Sequence, residues 1–282
     1  MSSPIPPWLA LTIAAAVFGV MFSLGLMIGR AQLTAAVHRR GTIGLTLIAV
    51  LAVVPAIAVL AAKLLGLHGA VAAGILLMAI SPGAPVALRR AIEAGGGAAF
   101  APALHLAILA LAVVTVPVSL AALSALYGKA FSISPLDVGR QVLFAQLLPI
   151  GLGAALRAWQ PGTASRVEAL LARILNPALL AVVALLLAVL WPELAAVGWT
   201  PFAAGAGLTL SALGFGAVLV WRDPGARRVA AVAAAMRNPG LALLIATANR
   251  LPSEVSAAAL GYAVGGALVV TLFVLAPARG AQ

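Results

Sequence analysis

Nine apolar runs, each of membrane-spanning length, constrain this chain more than any other feature of its sequence. The chain is 64% hydrophobic and 8% charged, whereas a soluble domain is usually about one quarter charged. The runs lack the alternation of apolar and polar residues that is typical of a barrel strand. The sequence therefore predicts an all-α membrane protein with about nine transmembrane helices, at residues 8–29, 42–62, 68–88, 99–127, 137–156, 174–191, 202–221, 229–248 and 255–276. The first run has no Lys or Arg before it and is interpreted as a helix, not as a signal peptide.

The basic residues orient the predicted helices across the membrane. With nine spans, alternate loops share a side. One side has Arg30, Arg39, Arg40, Arg89, Arg90, Arg157, Arg166, Arg173, Arg222, Arg227, Arg228 and Arg279. The other side has only Lys63, Lys129, Arg140 and Arg250. By the positive-inside rule the first side is cytoplasmic, which predicts an outside N-terminus and a cytoplasmic C-terminus in the cell (plasma or inner) membrane. Because the net charge of +11 is spread between apolar runs, it does not indicate nucleic-acid binding.

Two of the predicted spans are interrupted by proline and glycine. The third contains Ser81-Pro82-Gly83-Ala84-Pro85, and the eighth contains Arg237-Asn238-Pro239-Gly240. Both interruptions lie roughly 12–18 Å into their spans, where freed backbone groups require protein or water beside them. The two spans are five apart and therefore run in opposite directions, which is typical of an inverted repeat with a substrate site at the midplane. The alternative is a pair of ordinary proline kinks.

The residues at these interruptions resemble those of the bile acid/sodium symporter (BASS) family. That family has a Pro-Gly break in one crossing helix, matched at residues 81–85, and a Met-Gln-Asn-Ser-Gly-Leu-Ala type break in the other, matched at residues 236–242. Its Leu-Leu-Pro-Ile-x-Leu-Gly stretch is matched at residues 147–153. The resemblance covers nearly the whole chain and is to the nine-helix variant of the family. It implies an inverted repeat in which two broken helices cross.

The resemblance also implies a division of the chain, with residues 1–282 forming one transmembrane transporter unit. The implied panel-like helices are those at about 8–29, 137–156 and 174–191. The implied core-like helices lie at about 42–127 and 202–276. In the family the core moves against the panel to carry organic anions, usually with sodium.

The chain departs from the family at the positions that the resemblance assigns to sodium. The oxygen-bearing side chains of the family fall here on Ala233, Arg237, Ala87, Leu88, Ala101 and His105. In particular, Ala233 stands at the position of a glutamate and Arg237 at that of a glutamine. Alanine and leucine have no side-chain oxygen, and arginine is itself a cation. We therefore expect neither ordinary two-sodium coupling nor a bound cofactor or metal.

Arg237 is the one Lys or Arg deep inside a predicted span, where an arginine costs roughly 3 kcal/mol to insert. One interpretation is a tethered cation that caps the free carbonyls at the end of the preceding half-helix. A second is that it binds a substrate carboxylate, together with the helix N-terminus near Gly240. The structural alternative is that it snorkels to water or links helices. Asn238 is expected to contact substrate or backbone.

His105 lies in the fourth predicted span and is the second candidate for a functional side chain. Its reference pKa near 6.5 would allow proton exchange in place of sodium. The alternative is a neutral histidine that is hydrogen-bonded between helices. The candidate site residues are therefore Arg237, Asn238, His105, Ser81, Pro82, Gly83, Pro239 and Gly240.

These features favour a secondary transporter that carries a small organic anion across the lipid bilayer by alternating access. The alternatives are an uncoupled facilitator or channel-like protein on the same fold, and a proton-coupled carrier. An enzyme is not expected, because every Asp and Glu lies at or beyond a span end, the chain has no cysteine, and only one histidine lies deep in a span.

Overall fold

A computed structural model describes residues 7–93, 100–128 and 134–276. These residues form helices and connecting turns, and the described part of the chain has no strand. In chain order the helices are α1 (Pro7–Leu26), α2 (Arg30–His38), α3 (Arg40–Ile48), α4 (Val54–Leu64), α5 (Gly69–Ala79), α6 (Pro85–Glu93), α7 (Phe100–Tyr127), α8 (Pro135–Val142), α9 (Leu148–Trp159), α10 (Pro161–Val189), α11 (Trp191–Val197), α12 (Thr200–Leu219), α13 (Pro224–Ala235), α14 (Pro239–Ala248) and α15 (Ser253–Leu275).

The predicted all-α membrane architecture is confirmed. Six stretches of helix in the described residues are long and apolar enough to cross a membrane: Arg40–Leu64, Phe100–Tyr127, Pro135–Trp159, Thr200–Leu219, Pro224–Ala248 and Ser253–Leu275. Two shorter apolar helices, Leu11–Leu26 and Gly69–Ala79, fall in the first and third predicted spans. The sixth predicted span, 174–191, lies in the helix α10 up to Val189.

Several helices extend beyond the apolar spans that the sequence predicts. Helix α10 begins at Pro161 and not near residue 174, and α13 begins at Pro224 and not near residue 229. The third span is interrupted between Ala79 and Pro85, as the sequence predicts, and its second half continues to Glu93. An apolar run marks the part of a helix that is buried in hydrocarbon, whereas backbone hydrogen bonding continues into polar sequence on either side.

Two of the spans contain a π-helical segment. Ala49–Val53 joins α3 to α4, and Leu143–Leu147 joins α8 to α9. In each case a proline follows within two residues of the segment, Pro55 in the first and Pro149 in the second. Such segments are rare and are found often at functional sites.

The interrupted spans lie at the centre of two similar three-helix units. Each unit consists of a long helix, a broken helix and a second long helix, at residues 40–127 and 200–275. The half-helix α6 packs against α13, and α5 packs against α14. In each pair, the first half of one broken helix packs on the second half of the other. Two antiparallel broken helices that cross at their interruptions make these contacts, so both interruptions lie at the centre of the molecule.

The helices α1, α9 and α10 pack against one another beside these two units. Gly25 of α1 and Gly153 of α9 allow their backbones to touch, since a Cβ on Gly25 would overlap the carbonyl oxygen of Ile150. Small residues at such a contact are typical of packed membrane helices. The group meets the crossing through α1, which packs on α14.

Candidate functional site

The two interruptions touch each other through their main chains. The backbone N–H of Asn238 donates to the carbonyl oxygen of Ser81 at 2.8 Å. The side-chain Nδ2 of Asn238 donates to the carbonyl oxygen of Gly83 at 3.3 Å. Backbone groups that the interruptions release from their helices are therefore paired across the crossing, as the low polarity of the surroundings requires.

Asn238 is placed for these contacts by the proline that follows it. A residue before proline is pushed out of the helical region, and Asn238 has the extended values φ −95° and ψ 94°. Its Oδ1 accepts from the backbone N–H of Leu241 at 3.0 Å and caps α14. Pro239 is the first residue of α14, where a missing N–H has no cost. Gly240 follows, and a Cβ there would lie 2.9 Å from Val17 of α1.

At the first interruption, Ser81 caps the end of α5 and Gly83 turns the chain. The hydroxyl of Ser81 donates to the carbonyl oxygen of Leu77 at 2.7 Å, at the end of α5. Pro82 follows in the irregular segment, and Gly83 has a φ of +76°, a value that favours glycine. A Cβ on Gly83 would lie 2.5 Å from Leu109 of α7, so this turn also packs closely on its neighbour.

Arg237 faces the interior of the protein and is 5% exposed. Its two terminal nitrogens donate to the carbonyl oxygen of Val50 at 2.9 and 3.0 Å. One of them also donates to the carbonyl oxygen of Ala234, at 3.1 Å, in the last turn of α13. A hydrogen bond to a charged group contributes about 1.5–3 kcal/mol, so these contacts are of the size needed to offset the insertion of the charge.

The carbonyl of Val50 has no backbone donor within its own helix, for a local reason that the sequence interpretation missed. Within the π-helical segment Val54 donates to Ala49, five residues earlier. The next donor in that register would be residue 55, but Pro55 has no N–H. Val50 therefore keeps an acceptor that Arg237 uses. A proline inside an apolar run was the available signal.

His105 lies beside the first interruption but does not join its hydrogen bonds. It is 5% exposed on α7, and its Nε2 has no hydrogen-bond partner among the described residues. Ile108 and Leu109, one turn later, are the residues that approach Gly83. The histidine is therefore on the helix that covers the crossing.

The positions that the resemblance assigned to sodium ligands are apolar and closely packed. Ala87, Leu88, Ala101 and Ala233 are all buried, with at most 7% exposure. All six acidic side chains lie in the described residues and are exposed or half-exposed. The guanidinium of Arg237 donates hydrogen bonds to the carbonyl oxygens of Val50 and Ala234, next to the second interruption. This set of groups does not fit a sodium site of the kind expected from the family.

Several further buried polar side chains were missed at the sequence level. Thr209 on α12 and Tyr262 on α15 are both buried. Gln146, in the second π-helical segment, is 0% exposed. The signal available was a polar residue inside an apolar run.

A helical membrane protein in which two antiparallel broken helices meet at their interruptions has the architecture of a secondary transporter. The model of the Sodium Bile acid symporter family matches residues 14–196, and the chain belongs to this family. The matched range includes the first interruption and ends before the second. No curated protein matches the sequence.

Proposed function

We propose that this protein is a secondary transporter that carries a small organic anion by alternating access and does not use ordinary two-sodium coupling. Membership of the family supports a transporter in general. The observation that carries the finer proposal is the guanidinium of Arg237, which is held by the carbonyls of Val50 and Ala234 where the broken helices cross.

The proposed role of Arg237 is that of a tethered cation. The C-terminal end of α13 carries the negative end of its helix dipole, and a positive charge there is stabilised. In sodium-coupled relatives the ion would supply that charge. Here the side chain supplies it permanently, so loading the site with a metal ion is not needed before the substrate binds.

The anion is proposed to bind at the N-terminal ends of the second half-helices. Both α6 and α14 begin at the crossing, and helix N-termini favour negative groups. Arg237 lies beside the start of α14, and its Nε has no partner among the described residues. The same guanidinium is thus able to hold the crossing together and to attract the carboxylate of the substrate.

Alternating access is proposed to come from movement of one helix group against another. The group of α1, α9 and α10 corresponds to the panel, and the two three-helix units correspond to the core. The N-terminus is proposed to lie outside and the C-terminus in the cytoplasm of the cell membrane.

The test is uptake into proteoliposomes of purified protein, with four labelled anions: taurocholate, benzoate, pyruvate and lactate. Sodium and proton gradients are imposed separately. We expect saturable uptake of at least one anion, exchange of internal for external label, and a rate that an inward sodium gradient leaves unchanged. Acceleration by sodium would contradict the tethered-cation role. Uptake without saturation or exchange would favour the channel-like alternative.

A proton-coupled carrier is the second candidate, and His105 is the observation that favours it. An imidazole on the helix that covers the crossing, with Nε2 unpaired, takes up a proton in a conformation that admits water, because burial disfavours its charged form. In that case an inward proton gradient accelerates uptake, and His105→Gln removes the acceleration while exchange continues. The exposed His38→Gln variant is the control. Uptake that does not respond to the proton gradient rejects this candidate.

A further inference from the structure

Gln146 lies in the interior with an amide that is not paired. The residue is 0% exposed, and neither Oε1 nor Nε2 has a hydrogen-bond partner among the described residues. Burying an amide without a partner destabilises a fold. A packing role would be better filled by leucine or methionine, so the amide requires another explanation.

The backbone at Gln146 is also unusual, because the residue belongs to the π-helical segment Leu143–Leu147. The extra residue of a π turn changes the face on which the following side chains lie. Here the segment contacts both α1 and α7. Gln146 is therefore on the face of its span that meets the rest of the molecule, whereas Phe144 is exposed.

The packing of α7 places Gln146 at the depth of the first interruption. A Cβ on Gly139 would lie 3.4 Å from Pro117, which fixes the register of two consecutive, antiparallel spans. Gln146 lies seven residues after Gly139, about 10 Å along its span. Leu109 lies eight residues before Pro117, about 12 Å along α7 in the same direction across the membrane. Leu109 is the residue that packs on Gly83.

The packing of α1 gives the same depth independently. Gly25 touches Gly153, and the π-helical segment also contacts α1, so the two spans are parallel. Seven residues before Gly153 is Gln146, and eight residues before Gly25 is Val17. Val17 contacts Gly240 at the second interruption. Gln146 is thus level with both interruptions.

We propose that Gln146 is a substrate-binding residue, whose Nε2 donates a hydrogen bond to an oxygen of the transported anion from the side opposite the crossing. This inference rests on the proposed function. The span of Gln146 packs with the α1, α9 and α10 group, which is proposed to move against the crossing. The contact therefore forms when that group closes on the anion and is lost when the group moves away.

The first test is Gln146→Met, which keeps the side-chain length and removes both hydrogen-bonding atoms. We expect the KM of the best transported anion among taurocholate, benzoate, pyruvate and lactate to rise about tenfold. The thermal unfolding temperature of the purified variant is expected to be unchanged or higher, because an unpaired amide has been removed. Gln160→Met, at an exposed position, is the matched control. An unchanged KM in Gln146→Met overturns the inference, as does a lower unfolding temperature with an unchanged KM.

A second test is chemical protection, which remains informative if Gln146→Met does not fold. The chain has no cysteine, so Gln146→Cys introduces a single thiol for maleimide labelling in proteoliposomes. We expect the saturating anion to slow labelling by about tenfold. Labelling at the same rate with and without the anion overturns the inference. If the wild-type protein transports an anion but Gln146 affects neither assay, only this inference fails. If it transports none of the four, the proposed function fails as well.

Discussion

The backbone N–H of Asn238 donates to the carbonyl oxygen of Ser81 at 2.8 Å, so the two broken helices are joined by their main chains. Each of these residues precedes a proline, which pushes it out of the helical region and turns its backbone groups outward. The same local chemistry therefore breaks both helices and provides the donor and acceptor that join them. The side chain of Asn238 adds a second link, to Gly83.

Asn238→Ala is expected to weaken this junction. It removes the cap on α14, which is worth about 0.5–2 kcal/mol, and it leaves the carbonyl of Gly83 without its donor. Asn238→Asp keeps an acceptor for the Leu241 N–H, and we expect a smaller loss. The measurement is thermal unfolding in detergent.

Asn249→Ala is the control for that prediction, since Asn249 is half-exposed at the other end of the same half-helix and bonds to Ile245. Equal effects of Asn238→Ala and Asn249→Ala would show that the crossing does not depend on the Asn238 side chain.

Gly83→Ala is expected to destabilise the first interruption by two effects. The φ of +76° disfavours a Cβ, at roughly 1 kcal/mol, and the new methyl group would lie 2.5 Å from Leu109. Gly128→Ala separates the two effects, because Gly128 has a φ of +61° and nothing within 4 Å of a Cβ. We expect a clearly larger drop in unfolding temperature for Gly83→Ala. Similar drops would show that α7 yields to the added methyl group.

The sequence was sufficient to predict the membrane fold and the two interruptions, because both depend on local properties of the chain. Hydrophobic length marks the spans, and a Pro-Gly pair stands at each interruption, whereas the single prolines Pro117 and Pro177 lie inside α7 and α10. The partner of Arg237 was not predictable in the same way. Val50 lies 187 residues away and carries an apolar side chain, and its carbonyl is available only through a π-helical register and Pro55. Gln146 was missed because the unpaired state of its amide depends on how three spans pack.

Gly25→Ala is expected to disturb the contact between α1 and α9. A Cβ there would overlap the carbonyl oxygen of Ile150, which belongs to a rigid helix backbone. Gly19→Ala is the control, because its Cβ would meet only the end of the Leu175 side chain, at 3.1 Å. Loss of folded protein on size-exclusion chromatography is expected for Gly25→Ala alone. The same elution profile for both variants would show that the two helices are able to move apart.

Arg237→Lys is expected to keep a cation at the crossing and to lose the simultaneous hydrogen bonds to two carbonyl groups. A guanidinium donates through a planar fork to Val50 and Ala234 together, whereas an ammonium is a point charge that cannot reproduce both contacts. We expect uptake to fall by about tenfold or more in Arg237→Lys, and further in Arg237→Gln, which has no charge. Because both substitutions leave a backbone carbonyl with a poorer donor, rates are compared per folded carrier after size-exclusion chromatography. Arg227→Lys, at an exposed position on α13, the half-helix that precedes Arg237, is the control and should transport normally. Normal uptake by folded Arg237→Gln would show that the positive charge at the crossing is not part of the transport cycle.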